Sequence, residues 1–379
     1  MEKFSAYRDP GTGIQPFLTP VPAVTVNSVF IALVPLRYVF GAIRMACALL
    51  LAVLHLLFVE GVCRVLMPIK PLHHAVSCIF TAITCRLALL FLGLAWIPTE
   101  QFTRKRGQVL RLAQSNEPFR PGPGDLIVSN WISWIEILYL AFRFNPVFVL
   151  PVVSTVEKTF TSSSSSVQTP GRRTGTGSAA ISGPSIRSTV ERIPVIGFQR
   201  VSLFSMVTFT GNVPSGGETG SIKTLEEICR YARSPVAVFP ECTTSNGRGL
   251  LRFAEIFKGW AVPTKGHKVF VACFRCDPPN AFMPTLSHSI PTSANPLSHA
   301  FSLASSFVPL SLSVRFLAPS DSPSSGSFMP SEIVGIDVGG DTLAASCAGL
   351  ISQLGKLRKV QFGWEEKAAF LALYHSKRR

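Results

Sequence analysis

Two rhythms of apolar residues run along the chain, and one gives way to the other near Ile97. In the first part, long unbroken apolar stretches dominate. Met45–Val59 is interrupted only by His55, and a less pure apolar lead-in begins at Val29. Fifteen residues of helix reach only about 22 Å, short of the ~30 Å hydrocarbon core of a bilayer. Counting back to Val29 supplies the length but brings in Pro35, Arg37 and Arg44. Ala75–Ile97 is long enough to span but places Arg86 near its middle, at a cost of roughly 2.5–3.5 kcal/mol on insertion scales. These defects fit a helical hairpin dipping into one leaflet, or a tilted pair whose arginines snorkel. Two ordinary transmembrane helices stand as the alternative. In each case the connecting loop is short and both ends emerge on one side. Arg104-Lys105-Arg106 and Arg111 put that side in the cytosol.

From Asp125 onward, short apolar runs alternate with helical periods. Leu126–Val128, Val147–Val153, Pro235–Pro240, Val269–Phe274 and Leu312–Leu317 read as strands. Trp131–Phe144, Ile222–Arg233, Gly249–Phe257 and Gly363–Tyr374 read as helices. Such alternation predicts an α/β domain with a largely parallel sheet. Thr159–Thr189, with Ser162–Ser166 and almost no large apolar residue, cannot bury enough surface to offset its chain entropy and is predicted to be a disordered insert. Pro319–Ser331 reads as a second, shorter one. The expected organisation is an N-terminal tail at 1–24, a membrane hairpin at 25–98 and the α/β domain at 99–379.

Composition sharpens the membrane expectation. Hydrophobic residues make up 47% of the 379 and charged residues only 15%, against roughly 25% charged in a typical soluble domain. Lys and Arg number 36 against 21 acidic residues, a net charge of +15. That excess suits phospholipid head groups or a phosphorylated substrate. Nucleic acid is the poorer partner, because the basic residues are scattered and no binding motif accompanies them. The first 25 residues hold four prolines and three Phe or Tyr residues, which does not read as a signal peptide. Cys273-Phe-Arg-Cys276 is a lone pair inside an apolar run; it reads as two core-strand thiols rather than a zinc site, and no metal is expected. The basic tail Ser376–Arg379 reads as a solvated terminus.

Three motifs in order carry a family resemblance. Ser129-Asn-Trp-Ile-Ser-Trp-Ile-Glu136 resembles the N-H-x-S-x-x-D motif of the glycerol-phosphate and lysophosphatidate acyltransferase superfamily. Val238-Phe-Pro-Glu-Cys-Thr-Thr-Ser245 resembles its F-P-E-G-T-R-S motif, and Ile193–Arg200 resembles the intervening motif that ends in a substrate-binding Arg. The particular variant is similar to the fungal lysophosphatidic acid:oleoyl-CoA acyltransferases linked to lipid droplets and vacuolar sorting. The resemblance runs from about Val24 to the C-terminus, outside the inserts.

It implies transfer of an acyl chain from acyl-CoA to lysophosphatidic acid, giving phosphatidic acid, with no cofactor beyond the acyl-CoA co-substrate. It also implies residence at the endoplasmic reticulum membrane and the lipid droplet, with the main domain facing the cytosol. The site residues it transfers are Asn130, Trp131, Ser133 and Glu136 for catalysis, and Arg200, Glu241, Thr243, Thr244 and Arg248 for the phosphate. A strand running into a helix N-terminus offers N–H groups to an anion.

The departures fall on the chemistry. Trp131 stands where the family has its proton-accepting His, and an indole cannot accept a proton. Glu136 replaces the Asp, Cys242 the Gly and Thr244 the Arg, and Val269-Phe-Val-Ala272 stands where a valine–proline pair is expected. Glu136 is the candidate replacement base, with a local capping role as its equal alternative. Arg248 and Arg200 are phosphate candidates or solvated arginines, and Glu241 reads as structural before substrate-contacting. His73, His74, His267, His288, His299 and His375 show no sequence sign of catalysis. The alternative function is a catalytically silent lipid-binding pseudoenzyme in lipid-droplet or vesicle-trafficking biology.

Overall fold

The computed structural model describes residues 4–21, 28–65, 68–105, 108–111, 117–154, 192–216, 222–264, 266–280, 282–333 and 340–376. The predicted insert 159–189 and the last three residues of the basic tail lie outside them.

The chain is α/β with a mixed, mostly parallel sheet and two apolar N-terminal helices. The strands in chain order are β1 (Thr99–Lys105), β2 (Gln108–Arg111), β3 (Leu126–Ser129), β4 (Val147–Val153), β5 (Val195–Val201), β6 (Val236–Val238), β7 (Gly249–Leu250), β8 (Val269–Cys276), β9 (Leu312–Leu317) and β10 (Arg358–Lys359). Among the described residues, eight of them form one sheet in the order β2-β1-β9-β8-β3-β6-β4-β5. The centre, β8-β3-β6-β4, is parallel throughout, while β5 and β9 run antiparallel to their inner neighbours.

Alternate residues of these central strands feed two separate cores, as the two-residue period of a strand requires. Ile127, Ala237, Phe270, Ala272 and Phe274 point to one layer, whereas Leu126, Val128, Val236, Val238, Val269 and Val271 point to the other. With both faces covered, the central strands are continuous apolar runs, and this is why periodicity found them. The helices that cover the faces are α1 (Ser28–His55), α2 (Lys70–Phe91), α3 (Ile135–Phe144), α4 (Leu203–Phe209), α5 (Leu225–Tyr231), α6 (Leu297–Ala304), α7 (Thr342–Gly355) and α8 (Trp364–Ser376). Residues of α2, α3, α4 and α6 enter the first core, and residues of α5 and α7 enter the second. A third, smaller cluster joins Tyr7 and Phe17 of the N-terminal segment to Phe362, Phe370 and Leu371.

Several sequence expectations need correction. Gly249–Phe257 is not a helix: β7 pairs in parallel with β10, and the chain then continues without regular structure. Its helical spacing arises because Leu250, Ile256 and Phe257 serve the second core while Leu251 serves the third. Pro319–Ser331 is ordered rather than an insert, with short 3-10 turns at both ends and Phe328 buried in the second core. Asp321 anchors it by accepting the Thr103 hydroxyl (2.6 Å) and the Arg104 backbone N–H (2.7 Å). The helix predicted from Trp131 begins only at Ile135, because the preceding residues form a loop.

The apolar hairpin is fastened to the domain by the very residues that spoil its hydropathy. Val34–Val59 and Pro71–Phe91 are long and apolar enough to cross a membrane. Yet Arg37 donates to Ser305 O (3.1 Å) and Arg44 to Ser306 O (3.1 Å), just past the end of α6, where a helix presents unpaired carbonyls and negative dipole. Gly41 makes the approach possible, since a Cβ there would sit 2.8 Å from Ser305 Oγ. The stretch predicted to continue to Ile97 ends as a helix at Phe91, so Arg86 lies in its last turns rather than mid-span. Its guanidinium donates to Leu94 O (3.1 Å) and Ala95 O (2.6 Å). Beyond it, Leu89, Leu92 and Leu94 are core residues, while Leu50, Leu57, Ile79 and Ile83 are exposed.

Leu89→Ala is therefore expected to destabilise the protein in micelles by about 2–5 kcal/mol, and Leu57→Ala by no more than about 0.5 kcal/mol. Denaturant midpoints of the two variants check this. Equal effects would mean that α2 is not part of the domain core.

Candidate functional site

Two loops meet at the C-terminal ends of the adjacent parallel strands β3 and β6. The first, Asn130–Trp134, leads from β3 to α3 on the first face. The second, Phe239–Arg248, leads from β6 towards β7 and residues packed on the second face. Adjacent strands whose connections leave in opposite directions open a crevice where α/β proteins place their ligands.

The first loop is held from both sides. Asn130 donates through Nδ2 to Phe274 O (2.9 Å) and accepts through Oδ1 from Phe274 N (2.8 Å), so its amide extends the β3–β8 ladder by one step. Trp131 N donates to Glu241 Oε2 (2.6 Å), and Trp131 O accepts from Ser245 N (2.9 Å). Glu241 Oε1 accepts from Leu251 N (2.8 Å). One carboxylate thus joins the first loop to both ends of the second. Ile132 N donates to both oxygens of Glu136 (2.9 and 3.1 Å), so this carboxylate holds the approach to α3. The Ser133 hydroxyl accepts weakly from Ile135 N (3.5 Å).

The indole of Trp131 is 1% exposed and lies between Phe239 (ring centroids 4.9 Å) and Phe209 (6.2 Å). Its Nε1–H has no hydrogen-bond partner among the described residues. In the second loop, Cys242 has φ +58°, the left-handed conformation that favours glycine. The Gly247 backbone is also left-handed, and a Cβ there would come within 3.2 Å of Ile132, so the two loops touch.

The second loop's polar groups are turned inward. Thr243 donates to Asn212 O (2.7 Å) and Thr244 to His288 O (2.7 Å), and both threonines are fully buried. Asn246 donates to Gln15 O (2.6 Å) and Leu18 O (2.9 Å), so the N-terminal segment straps this turn. Arg248 is exposed, with its backbone N–H on Asn246 Oδ1 (3.1 Å). Arg200 stands apart, level with Val149 near the sheet edge, and its guanidinium donates to Ile228 O (3.1 Å). Asn130, Trp131, Ser133, Glu136, Glu241, Thr243 and Thr244 therefore converge, while Arg200, among the described residues, bonds to neither loop. A surface cleft of about 520 Å³ is lined by Arg104, Asp321, Phe328 and Glu332 and contains none of these residues.

Two residues that touch the loops are not singled out by sequence: Lys367 falls in no candidate set, and His288 is set aside with the other histidines. Lys367 is fully buried and donates to Thr244 O (2.7 Å) and Thr244 Oγ1 (3.3 Å). His288 donates its backbone N–H to Ile132 O (3.0 Å) and stacks on His299 (ring centroids 4.9 Å). Neither residue sits in a recognisable motif. Their partners are far away in sequence, so no local signal marks them.

Burial dominates the electrostatics. Desolvation lifts Glu241 to about 8, against two backbone N–H donors and the Lys367 charge, which pull the other way. Desolvation likewise raises Glu136 well above the carboxylate range, opposed by the Ile132 N–H and helped by the charge of Glu241. Lys367 is pushed well below its ordinary value by burial, and His299 is pushed to about 3 by burial and then by His288. Burial thus biases Glu136, Glu241, Lys367 and His299 towards their neutral forms. Among the described residues, no group of three or more His, Cys, Asp or Glu side chains could hold a metal ion. Comparison with protein-family models, with curated proteins and with solved structures finds no match to this chain.

Glu241 makes a signed prediction. Its folded pKa lies above its unfolded value, so the folded state holds the extra proton between about 4.5 and 8, and stability falls as pH rises through that window. Glu241→Gln should lower stability overall by roughly 1–3 kcal/mol, because the single amide oxygen leaves one backbone N–H unpaired. It should also flatten the decline in urea midpoint from pH 5 to 8. An unchanged slope would mean that Glu241 does not titrate there.

Proposed function

We propose that this chain is a membrane-associated acyltransferase that moves a fatty acyl chain from acyl-CoA to lysophosphatidic acid. The observation that carries the reading is the junction of the two loops through Glu241 at adjacent parallel strand ends. The left-handed backbone of Cys242 adds support. The resembled motif has a glycine at this position, and the backbone keeps a glycine's conformation although the side chain has changed. The two apolar helices suit a membrane-embedded substrate, and the basic balance of the chain suits its phosphate. On this reading the hairpin rests in the endoplasmic reticulum membrane or the monolayer of a lipid droplet, with the domain on the cytosolic side. The exposed Arg248 is the phosphate partner of this proposal, because the two threonines already donate to backbone carbonyls.

Positioning a thioester against a hydroxyl supplies up to ~7–11 kcal/mol without any proton acceptor, whereas a general base adds typically 10²–10⁴-fold. Loss of the motif histidine therefore slows the reaction without abolishing it. A second reading, a silent lipid-binding relative acting in lipid-droplet or trafficking biology, is favoured by one observation: Trp131 fills the histidine's place and is sealed between two phenylalanines.

Labelled oleoyl-CoA and lysophosphatidic acid given to the full chain in micelles separate these readings, with a Ser133→Ala, Glu241→Ala double variant as blank. Acyl transfer predicts turnover above the blank, and Trp131→His is expected to raise it by about tenfold or more. Bound lysophosphatidic acid with no turnover would leave only the silent reading.

A further inference from the structure

No histidine lies within either loop, yet one joins them. The His288 backbone N–H donates to Ile132 O (3.0 Å) of the first loop, and its carbonyl accepts the hydroxyl of Thr244 (2.7 Å) in the second. The proton on its ring can be assigned from its neighbours. Asn295 Nδ2 donates to Thr208 O and to Thr210 O (2.7 Å each), which fixes the orientation of the amide. Asn295 Oδ1 therefore faces His288 Nε2 and can only accept. So Nε2 carries the proton and Nδ1 holds the lone pair. Nδ1 has no hydrogen-bond partner among the described residues. The stacked His299 is committed elsewhere, accepting from Trp134 Nε1 (2.9 Å) at Nδ1 and donating from Nε2 to Thr285 O (2.9 Å).

We propose that His288, oriented by Asn295, is the general base of acyl transfer in this chain, taking over the role vacated at Trp131. The proposal rests on the acyltransferase reading above. In the step, His288 Nδ1 takes the proton of the acceptor hydroxyl while that oxygen forms its bond to the thioester carbonyl carbon. The C–S bond then breaks, and the imidazolium returns the proton to the departing sulfur. The products are the ester and the free thiol of coenzyme A, so atoms and charge balance. Asn295 acts as a positioning residue. The charged and titratable groups facing the ring are Lys367 and His299. Burial first, and then the Lys367 charge, hold His288 below its ordinary value, with the Asn295 bond opposing. The imidazole is thus neutral and able to accept a proton at pH 7.

The test is turnover of the full chain in micelles, with His288→Gln as the main variant. Glutamine fills a similar volume and still donates to Asn295 Oδ1, but has no basic nitrogen. The expected result is a ~10²–10⁴-fold fall in kcat, with unchanged thermal midpoint and lysophosphatidic acid affinity. The acid limb of the wild-type kcat/KM profile, expected below the ordinary histidine range, should vanish. As a second variant, His288→Ala should regain turnover when imidazole is added, which a structural role would not produce. Turnover of His288→Gln within about threefold of wild type, or failure of imidazole to rescue His288→Ala, overturns the proposal and leaves acyl transfer standing. No turnover by the wild type overturns both.

Discussion

Glu241 has to satisfy a fully buried carboxyl group, and most of the candidate site is arranged around that requirement. Each oxygen accepts one backbone N–H, from Trp131 on one side and Leu251 on the other. A buried carboxylate lacking such partners would cost several kcal/mol. The bonds therefore fix the first loop against the second, and the remaining ties follow from that placement. Ser245 N reaches Trp131 O, Gly247 lies on Ile132, and Lys367 comes close enough to favour the charged form of Glu241 while holding the Thr244 carbonyl. The same burial that strengthens these bonds pushes both carboxyl groups towards their neutral forms.

The second constraint is how a highly apolar hairpin stays attached to a polar-edged sheet. Arg37 and Arg44 do this by donating to carbonyls just past the end of α6, while Arg86 closes its own helix by donating to the Leu94 and Ala95 carbonyls beyond its last turn, so the cations face the negative ends of helix dipoles. Helix α2 packs on α3, the helix that follows the first loop, and Leu89, Leu92 and Leu94 are shared between hairpin and core. The apolar surface left outside, including Leu50, Leu57, Ile79 and Ile83, is a lipid-facing surface on the proposed reading. Hairpin and loops are thus linked by continuous packing through α2 and α3.

Much of the central sheet was legible because its strands are buried on both faces. Val147–Val153 matches its predicted bounds because an unbroken apolar run leaves little room for another reading, and Leu312–Leu317 matches because apolar residues alternate with Ser313 and Arg315 at the strand period. The hairpin's helices were legible from the length of their apolar runs, although most of that surface is exposed. What periodicity misjudged is where one segment serves two cores: Leu250 and Leu251 face different clusters, which mimics helical spacing in an irregular stretch. Pro319–Ser331 looks like a linker in composition, yet Asp321 and Phe328 tie it down through partners elsewhere in the chain. At the site, a family resemblance singles out the loop residues, but the contacts they make were not legible. Asn130 and Glu241 spend their polar atoms on backbone groups, and Lys367 meets Thr244 across 123 positions of sequence. Contacts of that range leave no trace in a local pattern.

The central claim is that the two loops act as one lipid-binding unit at the strand ends. Hydrogen exchange of the full chain in micelles, with and without lysophosphatidic acid, tests it most directly. The account predicts that peptides covering 129–136 and 239–251 gain protection together on lipid addition, whether or not turnover follows. Protection confined to α1 and α2, with both loops unchanged, would contradict it.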